Sequence, residues 1–119
     1  MSRQDPLRIS DYLEHVLEAI KRITEYTENI TETAFLNNTQ AQDAVIRNFE
    51  VIGEACRNID RHHPEFSNRH PEIPLLNAYK MRNALSHGYF QIDLEIVWKT
   101  IENDLPELEK QVRAVYKSL

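Results

Sequence analysis

Glycine and cysteine are scarce in this chain of 119 residues, and each shortage excludes a class of protein. There are only two glycines, Gly53 and Gly88, which is too few for a β-rich fold with many tight turns. The composition therefore favours helices. The single cysteine, Cys56, can form no disulfide within the chain, which is typical of a protein of the reducing cytosol. Cys56 stands among apolar residues, and we expect it to be a small core residue.

Long apolar runs and an excess of positive charge are also missing. No stretch approaches the ~18 apolar residues of a membrane span, and the polar N-terminus lacks the apolar segment of a signal peptide. The net charge of -5 argues against a protein that coats nucleic acid in general. A few arginines could still form a local cationic cleft on an acidic body. The length predicts one domain over residues 1–119.

The pattern that is present is an apolar residue every three or four positions, which predicts amphipathic helices. The predicted helices are residues 6 or 11 to 28, 39–60, 74–87 and 93–117, with a short helical turn at 31–36. Pro106 should kink the last of them or divide it in two. Residues 61–73 contain His, Asn and Ser together with prolines, which favours a loop. We therefore expect an all-α fold, an antiparallel bundle of four or five helices, whose apolar faces also suit a homodimer.

Side chains suited to cap these helices stand at most of the predicted starts. Asp5 before Pro6, or alternatively Ser10, would cap the first helix, and Thr39 the second. Asp93 is well placed to cap the last helix. Trp98, five residues further on, is expected to anchor that helix in the core because aromatic side chains bury large areas.

The segment from Lys80 to Phe90 concentrates the residues that could perform chemistry: Arg82, Asn83, His87 and Tyr89, with Gly88 ending the helix. Arginine is a fixed fork for phosphate, and histidine is suited to proton transfer near neutral pH. A site that breaks RNA through its own 2′-hydroxyl needs this pair and no cofactor. Asn83 and His87 share a helix face, whereas Arg82 lies about 140° from His87, so two copies facing each other would form a denser cluster.

This pattern, an arginine followed after four residues by a histidine and then by a tyrosine two positions on, resembles the HEPN ribonucleases. It is most similar to the HepT toxins, partners of MntA-type minimal nucleotidyltransferase antitoxins. The flanking segments resemble that family too, namely residues 47–55, Ile73-Pro74, Met81 before Arg82, and residues 92–98. One departure is Leu75, where the family often has tryptophan, and it should change packing rather than chemistry.

The resemblance implies a HEPN-like bundle and a metal-independent endoribonuclease without cofactors, acting on RNA in a cleft between two copies. It implies that His87 exchanges protons with the 2′-hydroxyl or the leaving 5′-oxygen. Arg82 would hold the scissile phosphate, and Asn83 would orient His87 or the substrate. It also implies that the antitoxin silences the toxin by transferring AMP to Tyr89.

Other polar groups have both a structural and a functional interpretation. Arg47, Glu50 and Glu54 share one helical face. This spacing favours their interpretation as an ion-pair ladder, and the alternative is a supporting role at the RNA cleft. The histidines of the predicted loop match no standard zinc spacing, and a solvated loop is the better interpretation. For the whole chain, the alternatives to a ribonuclease are a non-catalytic helical module that binds a nucleotidyltransferase and a plain dimeric scaffold.

Overall fold

Every regular element in the described part of the chain is helical. The structure, a computed structural model, describes residues 7–75, 78, 81 and 92–119. Its elements are, in order, α1 (Ile9–Thr27), α2 (Glu32–Leu36), α3 (Thr39–His62), α4 (Pro64–Arg69), α5 (Leu94–Lys99), a π-helix (Thr100–Asp104) and α6 (Leu105–Ser118). The predicted all-α bundle is thereby confirmed. None of these helices combines the length and apolar character that crossing a membrane requires.

The core forms where the apolar stripe of α1 meets that of α3, and α6 also packs against α1. Burying these stripes is the main stabilising contribution, at about 25 cal/mol for each Å² of apolar surface removed from water. His63, just after α3, bonds through Nε2 to the backbone oxygen of Leu7, just before α1, at 2.8 Å. The end of α3 therefore lies beside the start of α1, so the two helices run antiparallel. The fully buried side chains of the stripes are Leu13, Val16, Ile20, Ile23, Val45, Ile52, Cys56 and Ile59.

The first two long helices begin at caps other than the predicted ones. The N-cap of α1 is Arg8, whose backbone N–H donates to the Asp11 carboxylate at 3.2 Å, so Ser10 does not fill that role. The alternative Asp5 cap lies outside the described residues. For α3 the cap is Asn38, whose Oδ1 accepts from Ala41 N at 3.0 Å, while Thr39 is already helical. Two adjacent residues able to cap cannot be ranked from sequence, because both side chains bond the same backbone groups.

Part of the predicted loop at 61–73 is helical, and that prediction was wrong for residues 61–62, at the end of α3, and for residues 64–69. Pro64 stands in the first turn of α4, where its missing N–H would have had no helical partner. Phe66 on α4 is 2% exposed and joins the core. The proline that argued against a continuous helix therefore starts a new one, and the burial of Phe66 holds it in place.

Pro106 divides the last predicted helix into two. The division is a single widened turn, and the chain stays helical on both sides of it. A proline at 106 cannot bond to the carbonyl of Glu102, and its ring would crowd that carbonyl in a regular α-helix. The preceding turn is instead a π-helix, in which Leu105 N donates to Thr100 O, five residues back. The predicted stripe survives the change: its first residue, Leu94, is half-buried, and the others, Val97, Ile101, Leu105, Leu108, Val112 and Val115, are all buried.

Candidate functional site

The four residues predicted to carry the chemistry, Arg82, Asn83, His87 and Tyr89, lie outside the described residues. What the structure describes is how the chain enters and leaves their segment. The predicted helix that begins at Pro74 can be followed only at positions 75, 78 and 81, all of which are helical.

The entry to the segment is anchored in the core. Ile73 and Leu75 are buried, at 3% and 7% exposure. Ala78 N donates to Pro74 O at 3.1 Å, which closes the first helical turn. Ala78 and Met81 are half-buried against the core. Positions 75, 78 and 81 thus form one inward-facing row that ends one residue before Arg82. Leu75 packs into the core. A tryptophan at this position would also be expected to face the core, because both side chains are largely apolar.

The exit from the segment is fixed by the start of α5. Asp93 caps this helix as predicted, because its Oδ1 accepts from Glu95 N at 3.0 Å and from Ile96 N at 3.3 Å. Val97 and Trp98 are buried. The Trp98 ring lies 5.2 Å from that of Phe35, the buried residue of α2, so the predicted anchoring role of Trp98 is confirmed.

Arg47, Glu50 and Glu54 occupy the face of α3 turned away from the row of Val45, Phe49 and Ile52, as their spacing requires. Arg47 Nη1 lies 3.9 Å from Glu50 Oε1, and their side chains are 74% and 28% exposed. Glu54 is half-buried, and its Oε1 has almost no contact with solvent. The ion pair expected from the sequence exists, but a pair this long and exposed contributes at most about 1 kcal/mol.

The histidines after α3 interact with their neighbours and form no metal centre in the described residues. His70 Nδ1 lies 3.1 Å from Glu72 Oε2. The pKa of Glu72 is lowered by the hydrogen bond from its own backbone N–H and then by His70. His63 contacts both Leu7 O and the edge of the Tyr12 ring. Where a solvated loop was predicted, His63 and His70 instead make local contacts on either side of α4. The contacts of His63 also link this region to α1.

Two cavities open on the described surface. One, of about 590 Å³, lies between α1 and α6 beside a hydrogen bond in which Tyr116 Oη donates to Glu14 Oε2 at 2.7 Å. That bond raises the pKa of Tyr116. The other, of about 500 Å³, lies between α3, the entry segment, the π-helix and α6. No sequence pattern pointed to the second cavity, because its lining comes from four separate elements.

Cys56 belongs to the core as predicted. It is 1% exposed, and burial raises the pKa of its thiol to about 12. A thiol with so high a pKa is protonated at neutral pH, so it is a poor nucleophile and a poor metal ligand. Cys56 therefore contributes packing.

Comparison with known proteins identifies relatives along most of the chain. The family model "Ribonuclease HepT-like" matches residues 16–115. A "Probable ribonuclease HepT" from Thermococcus cleftensis is 42% identical over 107 residues, which are 90% of this chain and 94% of the relative. "Putative RNase MJ1380" from Methanocaldococcus jannaschii is 36% identical over 97% of this chain and 100% of its own length. No solved structure matches the chain.

Proposed function

Because this chain belongs to the HepT-like ribonuclease family, we propose that it is an endoribonuclease that cleaves RNA through the 2′-hydroxyl, without a metal or another cofactor. The observation that carries the proposal is the extent of the family match, residues 16–115, which includes the segment from Lys80 to Phe90. The relatives named as ribonucleases align over nearly the whole chain, so the likeness is not limited to a short motif.

The proposed reaction is an internal transesterification. The 2′-oxygen attacks the neighbouring phosphorus while the bond from phosphorus to the 5′-oxygen breaks. The proton of the 2′-hydroxyl passes to a base, and an acid supplies a proton to the departing 5′-oxygen. The products carry a 2′,3′-cyclic phosphate and a 5′-hydroxyl. DNA should be inert because it lacks the attacking group.

Arg82 and His87 supply the groups that this reaction needs. We assign His87 to one of the two proton transfers, because an imidazole can both accept and donate a proton near neutral pH. We assign Arg82 to the phosphate, whose negative charge grows in the transition state. Asn83 lies one turn before His87 and would orient it or the substrate. In a homodimer the two copies of this segment would face each other across one cleft.

The described structure supports this proposal through the frame around the segment. The inward-facing row that ends at Met81 and the Asp93 cap of α5 fix the two ends of the segment that carries these residues. A catalytic constellation needs such rigid support to hold its geometry. Arg47, Glu50 and Glu54 would support the cleft from α3, with the exposed Arg47 guanidinium available to a phosphate.

The test of the proposed activity uses purified protein and a mixed tRNA substrate in excess EDTA. We expect the wild type to cleave, and His87→Ala and Arg82→Ala each to lose activity by roughly 10²–10⁴-fold. The matched control is His62→Ala, which removes an exposed imidazole at the end of α3. Full activity of His87→Ala, or cleavage that disappears in EDTA and returns with a divalent metal, would refute the mechanism.

The proposal extends to a toxin–antitoxin pair in the cytosol, in which a minimal nucleotidyltransferase transfers AMP to Tyr89. One AMP would place a phosphodiester anion and an adenosine beside the site, which should exclude RNA by charge and by volume. Co-expression with a cognate nucleotidyltransferase should therefore add the mass of AMP, and Tyr89→Phe should prevent it. Modification of the Tyr89→Phe variant to the same extent would place the acceptor elsewhere.

The alternative is a non-catalytic helical module that partners a nucleotidyltransferase. The acidic net charge of -5 favours it, since RNA is an anion. Protein that carries no AMP and cleaves neither tRNA, mRNA nor ribosomal RNA, yet binds the nucleotidyltransferase, would support this module and contradict the ribonuclease.

A further inference from the structure

The cavity between α3, the entry segment, the π-helix and α6 has an apolar floor. Phe49 and Ile52 of α3 and Leu105 and Leu108 of α6 line it, and all four are buried, with exposures between 2% and 9%. The half-buried Pro74, Ala78 and Met81 form the wall on the side of the entry segment. A volume of about 500 Å³ lies within the range of pockets that bind small ligands.

The rim of this cavity is acidic. The exposed carboxylates of Glu72, Asp104 and Glu107 belong to it, together with the amides of Asn103 and Gln111. Among the described residues that line the cavity there is no lysine, arginine or histidine. The pKa of Glu72 lies below its ordinary value, so this carboxylate is negatively charged at neutral pH like any exposed glutamate. Such a rim repels the phosphates of RNA and attracts cations.

The π-helix accounts for the position of part of the rim. Thr100, Asn103 and Asp104 all belong to this widened turn and all line the cavity. The widened turn accommodates Pro106, whose ring would crowd the carbonyl of Glu102 in a regular α-helix. A π-turn often marks a functional position in a helix, and here it presents three polar side chains beside an apolar floor.

From these observations we propose that the cavity binds a short segment of a partner protein, in which large apolar side chains enter the floor and flanking lysines or arginines meet the acidic rim. The carboxylates come from two separate chain segments, the turn before Pro74 and the junction of the π-helix with α6, which suits a ligand with more than one cation. An apolar centre surrounded by a polar rim is the usual arrangement of protein–protein interfaces.

The first experiment titrates the full chain by calorimetry with three peptides of equal length, each blocked at both ends. The first is Arg-Lys-Leu-Phe-Lys-Arg, the second replaces the four cations by Glu, and the third replaces Leu-Phe by Ser-Ser. We expect saturable binding of the first peptide only, and weaker binding at higher salt. Equal binding of the acidic peptide, or binding of none at millimolar concentration, would overturn the proposal. Tryptamine, a small aromatic cation, is titrated in the same way. Binding of tryptamine but of no peptide would assign the cavity to a small cation and would also overturn the proposal.

Two variants locate the binding site. Asp104→Asn with Glu107→Gln removes two rim charges and should weaken the first peptide about threefold to tenfold, as expected for two exposed ion pairs. Gln111→Trp should fill the cavity and abolish binding. The matched control, Glu28→Gln with Asp43→Asn, removes two exposed charges outside the cavity and should have no effect. Urea unfolding verifies that each variant is folded.

RNA cleavage by the free protein serves as an independent readout. The rim and cavity variants should cleave RNA at the wild-type rate, because none of the altered residues takes part in the proposed chemistry. Loss of peptide binding with intact cleavage thus separates this proposal from the proposed function. Unchanged peptide binding in both Gln111→Trp and the rim variant would refute the assignment of the cavity.

Discussion

Replacing Phe35 by alanine should destabilise the protein more than any other single change in α2. This five-residue helix has one buried side chain, and that is Phe35, at 0% exposure. Its ring lies 5.2 Å from the ring of Trp98, with an angle of 36° between the planes. A short helix has almost no stability of its own, so the burial of this ring holds α2 against the bundle.

The expected magnitude follows from the burial and the ring contact. A buried phenylalanine truncated to alanine typically costs about 3–5 kcal/mol, which includes the cavity that remains. The aromatic pair with Trp98 contributes about 0.5–1.5 kcal/mol beyond its buried area, and we expect a total near 4 kcal/mol. Since whole domains are stable by roughly 5–15 kcal/mol, Phe35→Ala should leave the protein only marginally folded. Phe35→Leu keeps most of the volume and should cost less than about 1.5 kcal/mol.

Equilibrium unfolding in urea measures this difference. Trp98 is the only tryptophan and touches Phe35, so its fluorescence reports on the contact itself, and circular dichroism reports on the helices. At a typical slope of about 1–3 kcal/mol per molar urea, a loss of about 4 kcal/mol lowers the midpoint by roughly 1.3–4 M. Each variant is unfolded at several protein concentrations, because a dimer would make the midpoint depend on concentration.

The control is Ile96→Ala, on the same helix as Trp98 but 56% exposed. Its effect should stay within about 0.5 kcal/mol. A cost below about 1 kcal/mol for Phe35→Ala, with an unchanged slope, would refute the conclusion that this ring holds α2 in place. An equal cost for Phe35→Leu and Phe35→Ala would show that ring geometry, rather than buried volume, determines the stability.

Three further predictions address single groups. The Cys56 thiol is 1% exposed, and burial raises its pKa to about 12. It should therefore react with Ellman's reagent at pH 8 only as fast as the protein unfolds. Rapid reaction in native buffer would mean that the thiol is accessible. Asn38→Ala should lower the free energy of unfolding by about 1 kcal/mol, since Asn38 Oδ1 caps α3. Thr39→Ala should have little effect. If urea unfolding shows the larger loss for Thr39→Ala, Thr39 is the cap. The hydrogen bond to Glu14 raises the pKa of Tyr116, so its stabilising effect is complete below the ordinary tyrosine pKa and is lost as the pH rises through the raised value. Tyr116→Phe should therefore lose stability near pH 8 and approach the wild type as the pH rises through the raised pKa of Tyr116, as measured by thermal unfolding; a difference that does not change with pH would contradict this assignment.

The long helices could be read from the sequence because each buries one continuous stripe. The start of α3 at Thr39 and the burial of most of the stripes of α1 and α3 were predicted correctly, but Tyr26, predicted to end the α1 stripe, is 43% exposed. The Asp93 cap was predicted because an aspartate directly before an apolar-periodic run has few other local roles. These features depend on neighbours within one turn of helix, so they are encoded locally.

The features that were missed depend on contacts between segments far apart in the chain. Residues 64–69 contain little helical periodicity, and α4 exists because the core accepts Phe66. Pro106 predicted a kink or a division, but the choice of a widened π-turn depends on keeping both halves of the stripe buried. The hydrogen bond between His63 and Leu7 joins residues 56 positions apart.

The sequence by itself determined the helical class, the stripes, the Asp93 cap and the resemblance to the HepT ribonucleases, because periodicity and motifs are carried by residues close together in the chain. The residues proposed for catalysis also come from the sequence alone. Only the tertiary structure decided that α2 is held by Phe35 against Trp98 and that an acidic rim surrounds an apolar cavity beside the entry segment. The reason is physical: a cavity is bounded by side chains from several elements, and its shape and charge exist only after those elements have packed.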